Sequence, residues 1–458
     1  KIVHTPPMDE AFRFTKTAHR THSYFFDYGT LETPLRLAEK CSGSGDCKKS
    51  SLSGGTMCPS FMASHEEKDS TRARANMLRQ MLSSDETQPF SNPELTDILD
   101  LCLSCKGCQT ECPSGVDISK LKAETLQQKY LEQGIPLRTK LIGHFPKTQE
   151  WASWVAPLYN FLIEFPLSSY FIKAFMGFSQ QRSLPAVQFT SLESWFNRYQ
   201  KRIPQEHFKH GFVYFFADEF TNFNEVNLGK KAIGLLNELG FGVKIPNGLS
   251  SGRSYLSKGM LIEARQIARK NLEILQDLIS DEHPLIGIEP SAILTFRDEI
   301  PDLVGSDYRE LAEKIKPNCL LIDEFIAHNI DAKLISKESF TGMPQKILLH
   351  GHCHQKAIAG LVATRKALSF PENFEVELLP TGCCGMAGSF GYEKKHYSLS
   401  QKIANLVLFP RIVQRKETIT VASNGTSCRH QLKDGIEKKG FHTAEILYNA
   451  LSNKTINL

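Results

Sequence analysis

Four cysteines in the stretch CLSCKGCQTECP, Cys102, Cys105, Cys108 and Cys112, follow the spacing C-x2-C-x2-C-x3-C-P. Three thiolates on so tight a loop can wrap one face of an iron–sulfur cube, while the Cys-Pro thiolate points away toward a second cluster. Zinc is the rival ligand, but a structural zinc centre asks for two separated Cys pairs around one tetrahedral ion. The chemistry implied is one-electron transfer.

A second cluster needs its own ligands, and CSGSGDCKKSSLSGGTMCPS supplies Cys41, Cys47 and another Cys-Pro at Cys58-Pro59. The pairing logic of two-cluster ferredoxins predicts a [4Fe-4S] cluster on Cys102, Cys105, Cys108 and Cys58, and another cluster on Cys41, Cys47 and Cys112. Ser44 stands where the spacing calls for a third thiol. That cluster is therefore [3Fe-4S], or a [4Fe-4S] cube whose last iron takes Ser44, water or a residue from elsewhere. Arg72, Arg74 and Arg79 sit in a helix-patterned segment between the two motifs. A guanidinium close to the thiolates favours the reduced, more negative state and raises the potential.

A third thiol group lies near the C-terminus: Cys353, the pair Cys383-Cys384 before Gly385, and Cys428. Four thiolates from three loops can close round iron–sulfur or zinc. His350, His352, His354 and His430 crowd the same segment, and His352 and His354, which flank Cys353, are the candidate imidazole ligands or the donors that orient the thiolates. Cys319, in PNCLLIDEF, reads as core.

The elements that must position these groups divide the chain into five segments. Residues 1–36 read as a linker or docking arm, and 37–125 as an all-α two-cluster ferredoxin-like domain. Residues 126–205 are an aromatic-rich amphipathic helical region broken at Pro157 and Pro166 into two or three short helices. This region needs a partner surface; its few Lys and Arg favour protein over a membrane face. Residues 206–335 and 336–458 repeat the order strand, helix, strand and loop, which predicts two α/β lobes with parallel sheets. Functional residues then fall on loops after strand ends. In lobe one the places of the thiols hold Glu219, Ser250-Ser251-Gly252 and Ala292. Lobe one is expected to be scaffold, and the fold class is α+β multidomain.

With 458 residues, 41% hydrophobic and 23% charged, the composition is that of a globular protein rather than a disordered one. A net charge of +4 without any Lys/Arg-dense tract gives no reason to expect nucleic acid. Cysteines gathered in motif-like groups read as a reduced metal-cluster inventory, hence a cytoplasmic protein, with membrane association on the cytoplasmic face as the variant. No run of eighteen apolar residues occurs. The start, Lys-Ile-Val without a methionine, reads as a piece of something longer.

The CCG loop with Cys353 and Cys428 resembles the cysteine-rich domain found in heterodisulfide reductases, in the iron–sulfur components of glycolate oxidases and in anaerobic glycerol-3-phosphate dehydrogenases. The order GDCKKS, MCPSFMAS, STRARA, LSCKGCQTECP, SYLSKG, EPSAILTFRDE, GHCHQKA, GCCGMAGSFGYEK and GTSCRHQL is similar to the C-terminal half of fused FAD-linked oxidases. The resemblance implies an FAD domain earlier in the same longer polypeptide. It also implies oxidation of a D-2-hydroxy acid (D-lactate, glycolate or D-2-hydroxyglutarate) and delivery of electrons to a quinone or carrier protein. This part of the chain would then carry no catalytic residue of its own. Two departures stand out: Gly425 replaces the first cysteine of the usual terminal C-x-x-C, and Ser250-Ser251 replace the first-lobe pair, so a single site in lobe two is expected. The alternatives are a disulfide reductase with the CCG site catalytic and a non-enzymatic zinc-binding interaction module.

Overall fold

The structure is a computed structural model that describes residues 23–84, 86–203, 208–415 and 418–454. Most of the expected arm, residues 1–22, lies outside them. The cluster segment is built of helices and short 3-10 turns. Its helix Thr71–Leu82 starts where the Ser70 side chain accepts from Ala73 N–H, and it buries Arg74, Ala75, Met77, Leu78 and Met81. The longest helix of this part, Ile118–Gln133, is capped by Asp117 and stops at Gly134, whose φ of 76° suits glycine. Cys47, Cys58, Cys102 and Cys108 sit in one core with Leu78, Leu95, Leu121 and, from the following domain, Tyr255 and Met260.

The aromatic region folds as helices Phe145–Trp154, Ala156–Glu164 and Pro166–Met176, followed after an extended stretch by Leu192–Tyr199. Pro157 and Pro166 fall in the first turns of their helices, where the missing N–H costs nothing. They start helices rather than merely breaking them. Trp151, Trp154, Phe161, Phe171 and Phe175 remain exposed.

Two four-stranded parallel sheets follow, with identical topology. Strands β1 (Phe212–Phe215), β2 (Gly242–Lys244), β3 (Leu285–Gly287) and β4 (Cys319–Leu321) lie in the order β2-β1-β3-β4. Strands β5 (Gln345–Leu349), β6 (Phe374–Leu378), β7 (Thr420–Ala422) and β8 (Gly440–Phe441) lie in the order β6-β5-β7-β8. Every pairing is parallel. In each sheet the chain reverses its direction of travel beside the first strand, and the crevice at that switch point, beyond the carboxyl ends of the strands, is where such folds present chemistry.

Buried polar contacts weld the lobes together. Glu225 of lobe one binds Arg429 of lobe two at 2.5 Å, and Glu289 accepts from Thr426 N–H at 2.7 Å. Asp323, fully buried, accepts from Gln355 at 3.1 Å and Asn424 at 2.9 Å. His442 Nε2 lies 2.9 Å from the Ile288 carbonyl.

The cluster domain is clamped to lobe two by Asp100, which meets Lys395 at 2.7 Å and His396 Nε2 at 2.8 Å. Burial alone would lower the His396 pKa, but the carboxylates of Asp100 and Glu393 outweigh it and raise the value. The folded protein therefore holds this proton more tightly than the unfolded chain. The clamp contributes fully below the ordinary imidazole value of 6.5 and is lost as pH rises through the raised one. Thermal unfolding across that interval should show a stability difference between wild type and His396→Phe that shrinks as pH rises; a difference independent of pH would remove the clamp.

Candidate functional site

Cys58, Cys102, Cys105 and Cys108 line one small cavity together with Met57, Arg74, Leu103 and Ile118. All four cysteines are buried, and they come from three places: the start of helix Pro59–Ser64, the end of helix Pro93–Asp100, and the loop into helix Gly107–Glu111. Ser104 and Lys106, on either side of Cys105, have φ of 51° and 61°, a backbone that non-glycine residues adopt at a cost. N–H donors face the sulfurs: Ile118 N–H reaches Cys108 Sγ at 3.4 Å, and Arg74 Nη1 reaches Cys58 Sγ at 3.1 Å. Arg74 is itself 1% exposed and is held by Ser60 and the Ile98 carbonyl.

Electrostatics follow from this crowding. Burial and neighbouring acidic groups push the Cys105 and Cys108 pKa values well up, Cys105 through the thiols of Cys383 and Cys353, Cys108 through the Asp117 carboxylate and the Cys102 thiol. Burial raises Cys58 as well, but the Arg74 guanidinium and Ser60 hydroxyl outweigh it and lower the value. Ionising such a set requires added positive charge inside the cavity, which bound iron supplies. The residues fit an iron–sulfur cluster.

Of the second predicted set, Cys47 is buried while Cys41 and Cys112 are half-buried. Their loops are held side by side by the Ser114–Ser42 hydroxyl contact at 3.0 Å. The Glu111 carboxylate, which accepts from Thr56 N–H at 2.6 Å and pairs with Lys49, ties the Cys112 helix to the strand of chain before Cys58. Arg72 N–H donates to Cys47 Sγ at 3.3 Å. Ser44 is exposed, and its hydroxyl donates to Asp46 at 2.5 Å.

The third set forms at the carboxyl ends of the lobe-two strands. Cys353 opens a helix after β5, Cys383-Cys384 follow β6, and Cys428 lies in the helix after β7. Cys353 and Cys383 share one packed cluster and Cys384 and Cys428 another. Cys105 packs among Cys353, Cys383, Phe390 and Ile403, so the cluster loop abuts this site directly. His354 Nε2 is 3.0 Å from the Ser104 carbonyl. Lys356 Nζ donates to the carbonyls of Thr381 and Gly382 at 2.6 and 2.7 Å, holding the CCG loop. His430 is occupied by the Tyr392 hydroxyl at 2.7 Å, and Cys319 is fully buried in core.

His352 occupies a telling position. A Cβ at Gly425 would stand 2.3 Å from the His352 ring, so the imidazole fills the space that a side chain at the first position of the terminal pair would need. In lobe one the equivalent crevice is closed by its own side chains. Glu219 accepts from Ser250 Oγ at 2.6 Å, Ser251 N–H at 2.8 Å and Ser251 Oγ at 2.8 Å. A carboxylate and two hydroxyls sit where lobe two has thiols. Of the three arginines that the sequence places near the clusters, Arg74 is the one whose guanidinium reaches a thiol, that of Cys58, whereas Lys356 gave no sequence signal.

Residues 37–116 match the sequence profile of a 4Fe-4S dicluster domain. The class thus defined is an iron–sulfur electron-transfer protein. D-2-hydroxyglutarate dehydrogenase of Escherichia coli (strain K12) is 24% identical over 442 residues, covering 87% of this chain and 42% of that protein. The C component of the anaerobic glycerol-3-phosphate dehydrogenase of the same organism is 25% identical over 343 residues, 74% of this chain and 83% of its own length. Lactate utilization protein A of Bacillus subtilis (strain 168) is 25% identical over 180 residues, 38% of this chain and 72% of its own. The chain spans less than half the length of the D-2-hydroxyglutarate dehydrogenases that it matches. It is related to the iron–sulfur part of oxidoreductases, and among the described residues no helix is long and apolar enough to cross a membrane.

The contact between Gly425 and His352 makes a direct test of the lobe-two packing. Gly425→Ala should destabilise by about 1–3 kcal/mol, the usual cost of overpacking a filled core. His352→Ala combined with Gly425→Ala should recover most of that loss in denaturant unfolding; additive losses would show that the two residues do not compete for one space.

Proposed function

We propose that this chain is the electron-delivery portion of a flavin-linked oxidoreductase acting on a D-2-hydroxy acid. One [4Fe-4S] cluster is held by Cys58, Cys102, Cys105 and Cys108, and a second cluster, [4Fe-4S] or [3Fe-4S], by Cys41, Cys47 and Cys112. FAD belongs to another part of the longer polypeptide and takes a hydride from substrate; the clusters split the pair into single electrons. The thiols Cys353, Cys383, Cys384 and Cys428 hold iron–sulfur or zinc beside the place where electrons are handed on to a quinone or carrier protein. No residue of this chain does the substrate chemistry, and the setting is cytoplasmic. The exposed aromatic helices around Trp154 and Phe171 offer a surface for the flavin part or the acceptor.

The observation that supports this reading best is Cys105: it lines the cluster cavity and at the same time packs against Cys353 and Cys383. The relay and its exit are in contact. In the whole protein, Cys105→Ser should leave flavin reduction by substrate intact and abolish electron delivery to the physiological acceptor. Unchanged turnover with that acceptor would contradict the relay.

Arg74 tunes the same cluster. A charge-assisted hydrogen bond is worth about 1.5–3 kcal/mol, and a one-electron couple moves about 59 mV per 1.4 kcal/mol. Arg74→Gln should therefore lower the potential of this cluster by tens of millivolts in an EPR-monitored titration, and an unchanged potential would remove the guanidinium from the account.

A further inference from the structure

The lobe-two thiols do not stand alone. His350, immediately after β5, offers a ring nitrogen that lies, with the sulfurs of Cys384 and Cys428, in a group whose three donor atoms are all within 4.8 Å of one another. Each residue follows a different one of the three adjacent strands β5, β6 and β7, at their carboxyl ends. All three are buried, His350 to 1% exposure. His350 Nδ1 is 2.7 Å from Thr381 Oγ1, whereas Nε2 is buried without a partner. A buried imidazole with one nitrogen fixed by an oxygen and the other free is the arrangement that orients a metal-ligating histidine.

From this geometry we infer that lobe two binds a single zinc ion through His350 Nε2, Cys384 and Cys428. The inference rests on reading lobe two as a metal-holding site and narrows it. Zinc bonds of about 2.3 Å to sulfur and 2.0–2.1 Å to nitrogen draw their donors together around one centre. The thiolates of a cube each sit on a separate iron and spread wider, so three donors this close suit one ion. Two thiolates and an imidazole are a donor set zinc accepts, leaving a fourth corner open. Cys353 and Cys383 are then not zinc ligands from this group. They form the opposite face, packed on Cys105. Zinc carries no electrons, so the ion holds three strand ends in place while electrons leave from the cluster edge at Cys105.

The test uses the full chain, purified anaerobically without added zinc or chelator, with zinc, iron and sulfide measured together and zinc X-ray absorption recorded. About one zinc per chain is expected, with sulfur and imidazole in its shell. His350→Ala and Cys428→Ser should each lose at least about tenfold in zinc occupancy while iron and sulfide stay unchanged, which also reports that the cluster domain is folded. Thr381→Val keeps all three donors and should weaken zinc about 10- to 100-fold in competition with a chelator. Absence of zinc, retention of zinc in His350→Ala, or loss of iron instead of zinc in Cys428→Ser would overturn the assignment. Absence of iron and sulfide from the wild type would defeat the relay reading and leave the zinc stoichiometry standing, so the two failures are distinguishable.

Discussion

The burial of the Cys105 loop between the two lobes is the constraint on which the rest of the structure depends. Lys106, 3% exposed, meets Asp298 and, at 2.8 Å, Glu299 of lobe one. Arg253 binds Glu299 from the other side at 2.6 Å and, with Lys106, offsets the burial of that carboxyl and holds its pKa down at about 2. On the opposite flank the Ser104 carbonyl meets His354 of lobe two. A lysine taken out of water is tolerated only when paired, so this loop has one stable place in the molecule. The left-handed conformations of Ser104 and Lys106 cost energy that docking offsets. They also place Cys105 among Cys353 and Cys383, so the contacts that dock the loop bring the cluster segment against lobe two.

The two lobes share a strand order and differ in what fills the crevice. Lobe one satisfies its crevice internally, with Glu219 bonded to Ser250 and Ser251. It contributes instead the acids that fix its neighbours: Asp298 and Glu299 for the cluster loop, Glu225 and Glu289 for the Cys428 helix. Burial raises the Glu225 pKa, but Arg429 outweighs it and brings the value down to about 2, so this inter-lobe pair is ionised at neutral pH. One copy of the repeat closes its crevice with its own side chains, and the other places thiols there.

Much of this was legible in the residues. The thiol spacing located the cluster loops, and alternating apolar runs located two parallel sheets, because both signals are local. The strand, helix and loop order of the repeat assigned Glu219 and Ser250-Ser251 to the places that hold thiols in lobe two. What stayed hidden depended on contacts between segments far apart in sequence. Gly425 looked like a missing ligand until the His352 ring was found in its space. His352 and His354 drew attention because they flank Cys353, yet His350, just upstream of them, is the imidazole grouped with Cys384 and Cys428, since the end of β5 aims it into the crevice. The adjacency of Cys105 to Cys353 joins residues from separate domains and has no local signature.

The most direct test of the central claim is iron and acid-labile sulfide analysis of anaerobically purified protein, with EPR before and after dithionite. Two clusters predict about seven or eight irons per chain with matching sulfide, and a reduced-state signal from neighbouring clusters. A three-iron signal in the oxidised sample would assign the Ser44 corner as open. Metal without sulfide, or iron sufficient for only one cluster, would contradict the relay.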